Sequence, residues 1–251
     1  MHPPSVCVHL LPELIPPGVL AGGVAVVVDA LRATTVMIHA LAAGCAAILP
    51  CHEVDEARRL AATLPPDTTL LVGERHGRPI AGFDLGNSPS AFTPEVCRGK
   101  TLVMTTTNGT RAILSCLEAE RILVAAFVNL GATVARLRDE SRPVHIVCSG
   151  TDGHISVEDA LLAGLLTAQL PGALVRGSND EALIVRSACQ ELEDVLVDGD
   201  PLVQFLSQGR GGRRIRELGL AADIEAAARI DRFDLAAEVL RDPVRIVRLE
   251  S

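Results

Sequence analysis

The feature that most constrains this chain is a repeated alternation of short apolar runs with helix-patterned segments between residues 24 and 148. The runs lie at 24–28, 46–49, 69–72, 101–105, 121–126 and 144–148. They are too short for buried helices, and several are continuous rather than alternating, so both faces of such a strand need cover. Segments 33–43, 53–64, 108–117 and 129–138 carry helical spacing, and Gly44 closes the first of them. Thr93-Pro94-Glu95 reads as another helix start, with Thr as N-cap and Pro at the first helical position. Strands alternating with helices predict an α/β fold, layered α/β/α, with a largely parallel or mixed sheet.

After Ser156 the pattern turns helical, at 157–170, 180–193, 202–206, 215–218 and 221–228, with 244–247 as a closing strand. Segments 24–44 and 146–164 both run strand, acidic turn, helix and Ala-Gly. A duplication would give an N-terminal α/β half, 1–128, and a helix-rich half, 129–251, on two sides of a cleft. The alternative is one domain in which any two strand–turn–helix units look alike.

Composition excludes several functions. The 251 residues hold 31 acidic against 23 basic side chains, no Trp, no Tyr and five Phe. The core must therefore be aliphatic. A nucleic-acid partner is not expected, because both the stacking rings and the basic footprint are missing. No apolar stretch reaches the ~18 residues of a membrane span. The seven cysteines include no CxxC pair. They read as small buried thiols in a reducing cytoplasm. Met1-His2-Pro3-Pro4 has no basic region, so a secretory signal is not expected.

Several phosphate motifs fail. Gly99-Lys100-Thr101 imitates the end of a P-loop, but Pro94 stands where its first glycine is needed. Asp29 resembles an aspartyl phosphatase nucleophile, but Leu31 occupies the place of the second Asp. Arg75-His76-Gly77 imitates the histidine-phosphatase signature but lies mid-chain, and His76 reads as a solvated loop residue.

Four polar turns at strand ends remain, where parallel sheets collect ligands. The first, Asp29 to Thr35, offers a carboxylate and Arg32; its plain alternative is an Asp that caps the next helix and pairs with Arg32. The second brings Glu74 and Arg75, then Gly82-Phe83-Asp84-Leu85-Gly86-Asn87-Ser88-Pro89, or is an ordinary surface loop. The third, Thr105-Thr106-Thr107-Asn108-Gly109-Thr110-Arg111, opens a helix and offers hydroxyls and N–H groups as an anion cradle; the alternative is strand residues and an Asn cap. The fourth holds Ser149, Thr151 and Asp152 before Glu158-Asp159, or is an N-cap with favourable first-turn acids. Together they suggest a small anionic substrate and a hard divalent ion such as Mg²⁺.

These runs, with Gly212-Arg213-Arg214-Ile215-Arg216-Glu217-Leu218-Gly219 and Asp223-Ile224, resemble the 2-phosphosulfolactate phosphatase family, in order and over nearly the whole chain. The resemblance implies an Mg²⁺-dependent α/β phosphatase that converts 2-phospho-3-sulfolactate to 3-sulfolactate and phosphate, a step of coenzyme M biosynthesis in methanogens. The chain departs from the family at His76 and Arg78 around Gly77, at residues 207–212, and at 235–239, where a Val-Pro is missing.

On this basis Asp29 and Arg32 are the expected catalytic residues. Arg75, Asn87, Ser88, Thr106, Thr107, Asn108, Gly109, Thr110, Arg111 and Thr151 are expected to bind substrate. Asp29, Glu74, Asp84 and Asp152 are the expected Mg²⁺ ligands. Attack by water and a covalent Asp29 intermediate both fit these residues. A phosphatase of another phospho-2-hydroxy acid, or a non-catalytic anion-binding protein, would also fit. Phe83 is expected to anchor its loop in the core. A homo-oligomer is compatible with all of this.

Overall fold

The computed structural model describes residues 5–172, 177–191 and 200–250. Ten strands among them form one sheet: β1 (Val6–His9), β2 (Val24–Val28), β3 (Ala47–Pro50), β4 (Thr69–Arg75), β5 (Arg78–Pro79), β6 (Thr101–Thr105), β7 (Arg121–Ala125), β8 (Val144–Cys148), β9 (Ala237–Leu240) and β10 (Arg245–Arg248). Their order is β1-β8-β2-β7-β9-β10-β3-β6-β4-β5. The helices are α1 (Ala33–Ala42), α2 (Val54–Ala61), α3 (Pro94–Cys97), α4 (Gly109–Ser115), α5 (Leu130–Leu137), α6 (Val157–Gln169), α7 (Asp180–Glu191), α8 (Asp200–Gln208), α9 (Arg210–Glu217) and α10 (Ala221–Ala227). Residues 192 and 193, expected to end the helix at 180, lie outside the described residues, as do Met1 to Pro4.

Strand β2 shows why the apolar runs are continuous. Val24, Val26 and Val28 pack into one core cluster with Ile146, Leu130 and Leu162. Ala25 and Val27 pack on the opposite face with Met37, Ile113 and Val124. Each fully buried Val contributes about 1.5–3 kcal/mol relative to exposure. A polar residue anywhere in this strand would leave one face unmatched.

The sheet contains two parallel groups. Strands β1, β8, β2 and β7 pair in parallel, as do β3, β6 and β4. The antiparallel β9 and β10 join them. Segments 1–128 and 129–251 interleave, since β8 lies between β1 and β2, so the expected boundary does not separate two sheets. The two similar units at 24 and 146 are instead neighbours, with Val24 opposite Val144 and Val28 opposite Cys148.

Three antiparallel pairings lie between β7 and β3, so along the ladder the two parallel groups run in opposite senses. Residues at the carboxyl ends of β2, β4, β6 and β8 nevertheless meet at one cleft.

Candidate active site

The cleft holds about 470 Å³ of empty space, counting its solvent-open mouth. Asp29, Arg32, Glu74, Asn87, Thr106, Thr107, Asn108, Thr151 and Asp152 line it, so all four polar turns contribute. His76, Gly77, Gly211, Arg214, Ile215 and Leu218 complete the walls.

Asp29 holds the start of α1 and also faces the cleft. Its Oδ1 accepts the Ala33 N–H at 3.2 Å. The side chain is 6% exposed. Burial pushes its carboxyl up to about 6, and the Glu74 charge pushes the same way. Arg32 does not pair with Asp29. Its Nη1 meets Asp223 Oδ2 at 2.5 Å and its Nη2 donates to the Gly77 carbonyl at 2.9 Å.

Glu74 clamps two turns together. Oε2 accepts the Gly77 N–H at 2.6 Å, and Oε1 accepts the Thr107 N–H at 2.7 Å. The Thr107 hydroxyl adds a bond at 3.2 Å. Gly77 has φ +78°, and a Cβ there would overlap Leu218, so the turn depends on glycine.

The third turn differs from the expected cradle. The Thr106 N–H goes to Thr110 Oγ1 at 3.1 Å, the Thr110 N–H to Thr106 Oγ1 at 3.0 Å, and the Thr107 N–H to Glu74. Three N–H groups are therefore spent inside the protein, because each turn must satisfy its own buried donors. Thr106, Thr107 and Asn108 still face the cleft. Thr110 supports Thr106 from behind. Gly109 sits where a Cβ would fall 2.5 Å from Ala33 Cβ and 2.7 Å from Asp29 Oδ2. Arg111 lines an adjoining pocket rather than the cleft.

The fourth turn meets the first through Asp159. Its Oδ1 accepts the Ala30 N–H at 2.8 Å and its Oδ2 the Gly150 N–H at 3.0 Å. Thr151 reaches the cleft with its hydroxyl bonded to that of Ser156 at 2.7 Å. Asp152 pairs with Arg214 at 2.5 Å on the rim. Glu158 is 1% exposed and neither of its carboxylate oxygens has a hydrogen-bond partner. Burial and the nearby Asp29 charge push its carboxyl up to about 7. Burial and both neighbouring carboxylates raise Asp159 well above the usual range.

Several expected site residues lie elsewhere. Arg75 donates to the Glu74 and His52 carbonyls and to Thr105 Oγ1, and does not line the cleft. Asp84 accepts the Leu71 N–H at 2.7 Å and holds its own loop. Ser88 donates to Asp223 Oδ1, behind Arg32. Of the expected metal set, Asp29, Glu74 and Asp152 line the cleft, with Glu74 engaged by Gly77 and Thr107 and Asp152 by Arg214, and Asp84 lies outside it. Among the described residues, no three His, Cys, Asp or Glu side chains group closely enough to hold a metal by themselves. Phe83 packs against the small core cluster of Leu49, Cys51, Ala57 and Val103, as expected, with the Arg58 guanidinium 5.9 Å from its ring.

Sequence spacing missed Glu158 and Asp223, which support the cleft from behind its lining, and His76, which read as a solvated loop residue and instead lines the cleft. The first read equally well as a solvated first-turn acid. The second stands 191 positions from the arginine it binds. Only its place in the quoted Asp223-Ile224 pair marked it.

A cleft at strand carboxyl ends, lined by a fixed arginine, hydroxyls and buried carboxylates, defines an α/β enzyme for a small anionic compound. The family model described as 2-phosphosulpholactate phosphatase matches residues 9–241. The chain belongs to this family, which places it among the phosphoric monoester hydrolases. It is similar to a protein of Caldanaerobacter subterraneus subsp. tengcongensis named "probable 2-phosphosulfolactate phosphatase", at 36% identity over 88% of this chain and 89% of that one. Relatives with the same name occur in Gloeobacter violaceus, at 38% over 90% and 92%, and in Clostridium perfringens, at 32% over 91% and 90%.

Proposed function

We propose that this protein hydrolyses 2-phospho-3-sulfolactate to 3-sulfolactate and inorganic phosphate, with Mg²⁺ as cofactor. The observation that carries the proposal is the meeting of buried Arg32, fixed by Asp223, with Asp29 at one cleft, while the unpartnered Glu158 lies buried behind Gly211 in its wall. A fixed guanidinium suits phosphoryl oxygens. Two neighbouring buried carboxylates with raised proton affinity suit a cation.

The donor set fits Mg²⁺. This ion keeps much of its water and takes one or two carboxylates plus substrate phosphate, so a three-ligand cluster is not required. Asp29 and Glu158 are the residues that would hold it. Gly211, which lines the cleft, packs so closely on Glu158 Oε1 that a Cβ would overlap that oxygen. The ion supplies neutralising charge on the phosphoryl oxygens.

The protein's own groups position the reaction. Arg32 binds the phosphoryl oxygens. Asn87, whose buried Oδ1 has no partner, and the Thr106 and Thr107 hydroxyls orient the substrate. Water attacks phosphorus, the bond to the 2-oxygen breaks, and that oxygen leaves with a proton. Direct attack inverts configuration at a chiral thiophosphoryl centre, whereas a covalent Asp29 intermediate retains it. Retention would replace direct attack with the covalent route.

The six buried free cysteines and the half-buried Cys7 suit a reducing cytoplasm, where we place the protein. The test is phosphate release from phosphosulfolactate, phosphoglycerate and phospholactate, with Mg²⁺ and with a chelator. We expect phosphosulfolactate to be preferred and chelation to abolish release. Preference for another ester would move the substrate to another phospho-2-hydroxy acid, and release from none would sink the proposal.

A further inference from the structure

We propose that the pocket beside the main cleft is the subsite for the substrate's sulfonate, and that Arg111 is the residue that selects for it. This rests on the substrate proposed above. The pocket holds about 1190 Å³ of empty space with its open mouth, more than the main cleft. The two share Thr107, Asn108 and Asp152 as walls, so one small molecule can occupy both.

Arg111 differs from the other guanidiniums nearby. Arg32 is neutralised by Asp223, and Arg214 by Asp152. Arg75 is turned to two carbonyls and Thr105. Arg111 is exposed on the first turn of α4 and has no hydrogen-bond or ion-pair partner among the described residues.

The remaining charges of the pocket are accounted for. Asp152 is committed to Arg214, and the His52 ring meets Glu53 at 2.7 Å. Glu13, on the exposed turn Pro12–Leu14, lines the pocket as the one other carboxylate among its described residues. Among the described residues lining this pocket, Arg111 is thus the unpaired cation that can meet an incoming anion.

A sulfonate stays ionised across the working pH range and is a weak, bulky, tetrahedral acceptor. It calls for a permanent charge and room rather than a tight nest of donors. A guanidinium, which keeps its proton, in the wider pocket meets both needs. The phosphoryl group belongs on the other side of the shared wall, with Arg32 and the carboxylates. In phosphosulfolactate the two groups sit on adjacent carbons, which matches two pockets joined along one wall.

The experiment compares kcat/KM for phosphosulfolactate and phospholactate, which lacks the sulfonate, in wild type, R111A and R111K. Losing a charge-assisted hydrogen bond lowers the ratio roughly 10–100-fold in R111A, carried mainly by KM for phosphosulfolactate. R111K, which keeps the charge but not the fork, falls between. A ratio unchanged in R111A overturns the assignment of Arg111 while leaving the substrate proposal standing. A wild type that prefers phospholactate, or hydrolyses neither, overturns the substrate proposal and this one with it.

Discussion

Arg32 Nη1 lies 2.5 Å from Asp223 Oδ2, with the two side chains 4% and 3% exposed. Ser88 holds the other Asp223 oxygen, and the Gly77 carbonyl holds Arg32 Nη2. Three segments far apart in sequence thus fix one guanidinium at the cleft. Such a pair gives orientation more than stability, because desolvation offsets much of its attraction.

Removing one partner therefore does more harm than the pair contributes. We expect Asp223→Ala to destabilise the fold by about 3–5 kcal/mol, since a buried charge is left alone. Asp223→Asn keeps the shape and should lower kcat/KM at least roughly tenfold, with a larger share in KM. In a double-mutant cycle with Arg32→Gln the effects should be non-additive. Full activity in Asp223→Asn, or additive losses, would refute the anchoring role.

Glu158 makes a prediction about pH and metal together. Burial, and after it the Asp29 charge, raise its folded carboxyl to about 7, while burial, and after it the Glu74 charge, raise Asp29 to about 6. A raised folded value means stability is complete below the unfolded value and declines as pH rises through the folded one. Metal-free protein should accordingly lose this contribution between about pH 4 and 7. Glu158→Gln should raise Tm at pH 8 without Mg²⁺ and should lose the Tm gain that Mg²⁺ gives wild type. A variant that retains the full Mg²⁺ response would remove Glu158 from the cation site.

Gly109→Ala tests how closely α4 meets the first turn. The added methyl would fall on Ala33 Cβ and Asp29 Oδ2. Overpacking of this kind costs about 1–3 kcal/mol, and here the nearest polar atom belongs to the proposed site. We expect both a lower denaturant midpoint and weaker phosphate release. Wild-type values for both would show that the contact yields without consequence.

The acid side of the stability curve belongs to histidines. His9 and His145 stack with centroids 5.4 Å apart and share a 3.1 Å contact between ring nitrogens. Burial first, and His9 second, lower His145 to about 4. A lowered folded value gives stability above the unfolded value near 6.5 that is lost as pH falls through 4. His39, lowered likewise to about 4, acts with the same sign. His145→Gln should flatten the fall in Tm between about pH 6.5 and 4, whereas an unchanged slope would assign that fall to other groups.

Local chemistry makes much of this legible in the sequence. The run Val24–Val28 is apolar on both pleat faces, and that pattern has few solutions other than a buried strand. Polar turns directly after such strands are local too, which is why Asp29, Thr106 and Thr151 were found at the cleft. The strands β1 and β9 left little trace. Each is four residues long, and β9 overlaps the 235–239 stretch where the chain departs from its family.

By itself the sequence determined the α/β layering, the strands that carry the site and the residue types at their ends. Tertiary structure alone decided which charges face the cleft. Arg32 and Arg75 are the same residue type on equally polar turns, yet one is drawn to Asp223 and the cleft while the other is tied to backbone carbonyls. Glu158 reads as a surface acid until α9 packs its glycines over it. The reason is physical. Strand formation depends on neighbours a few residues away, whereas the state of a charge depends on desolvation and on partners up to 191 positions distant.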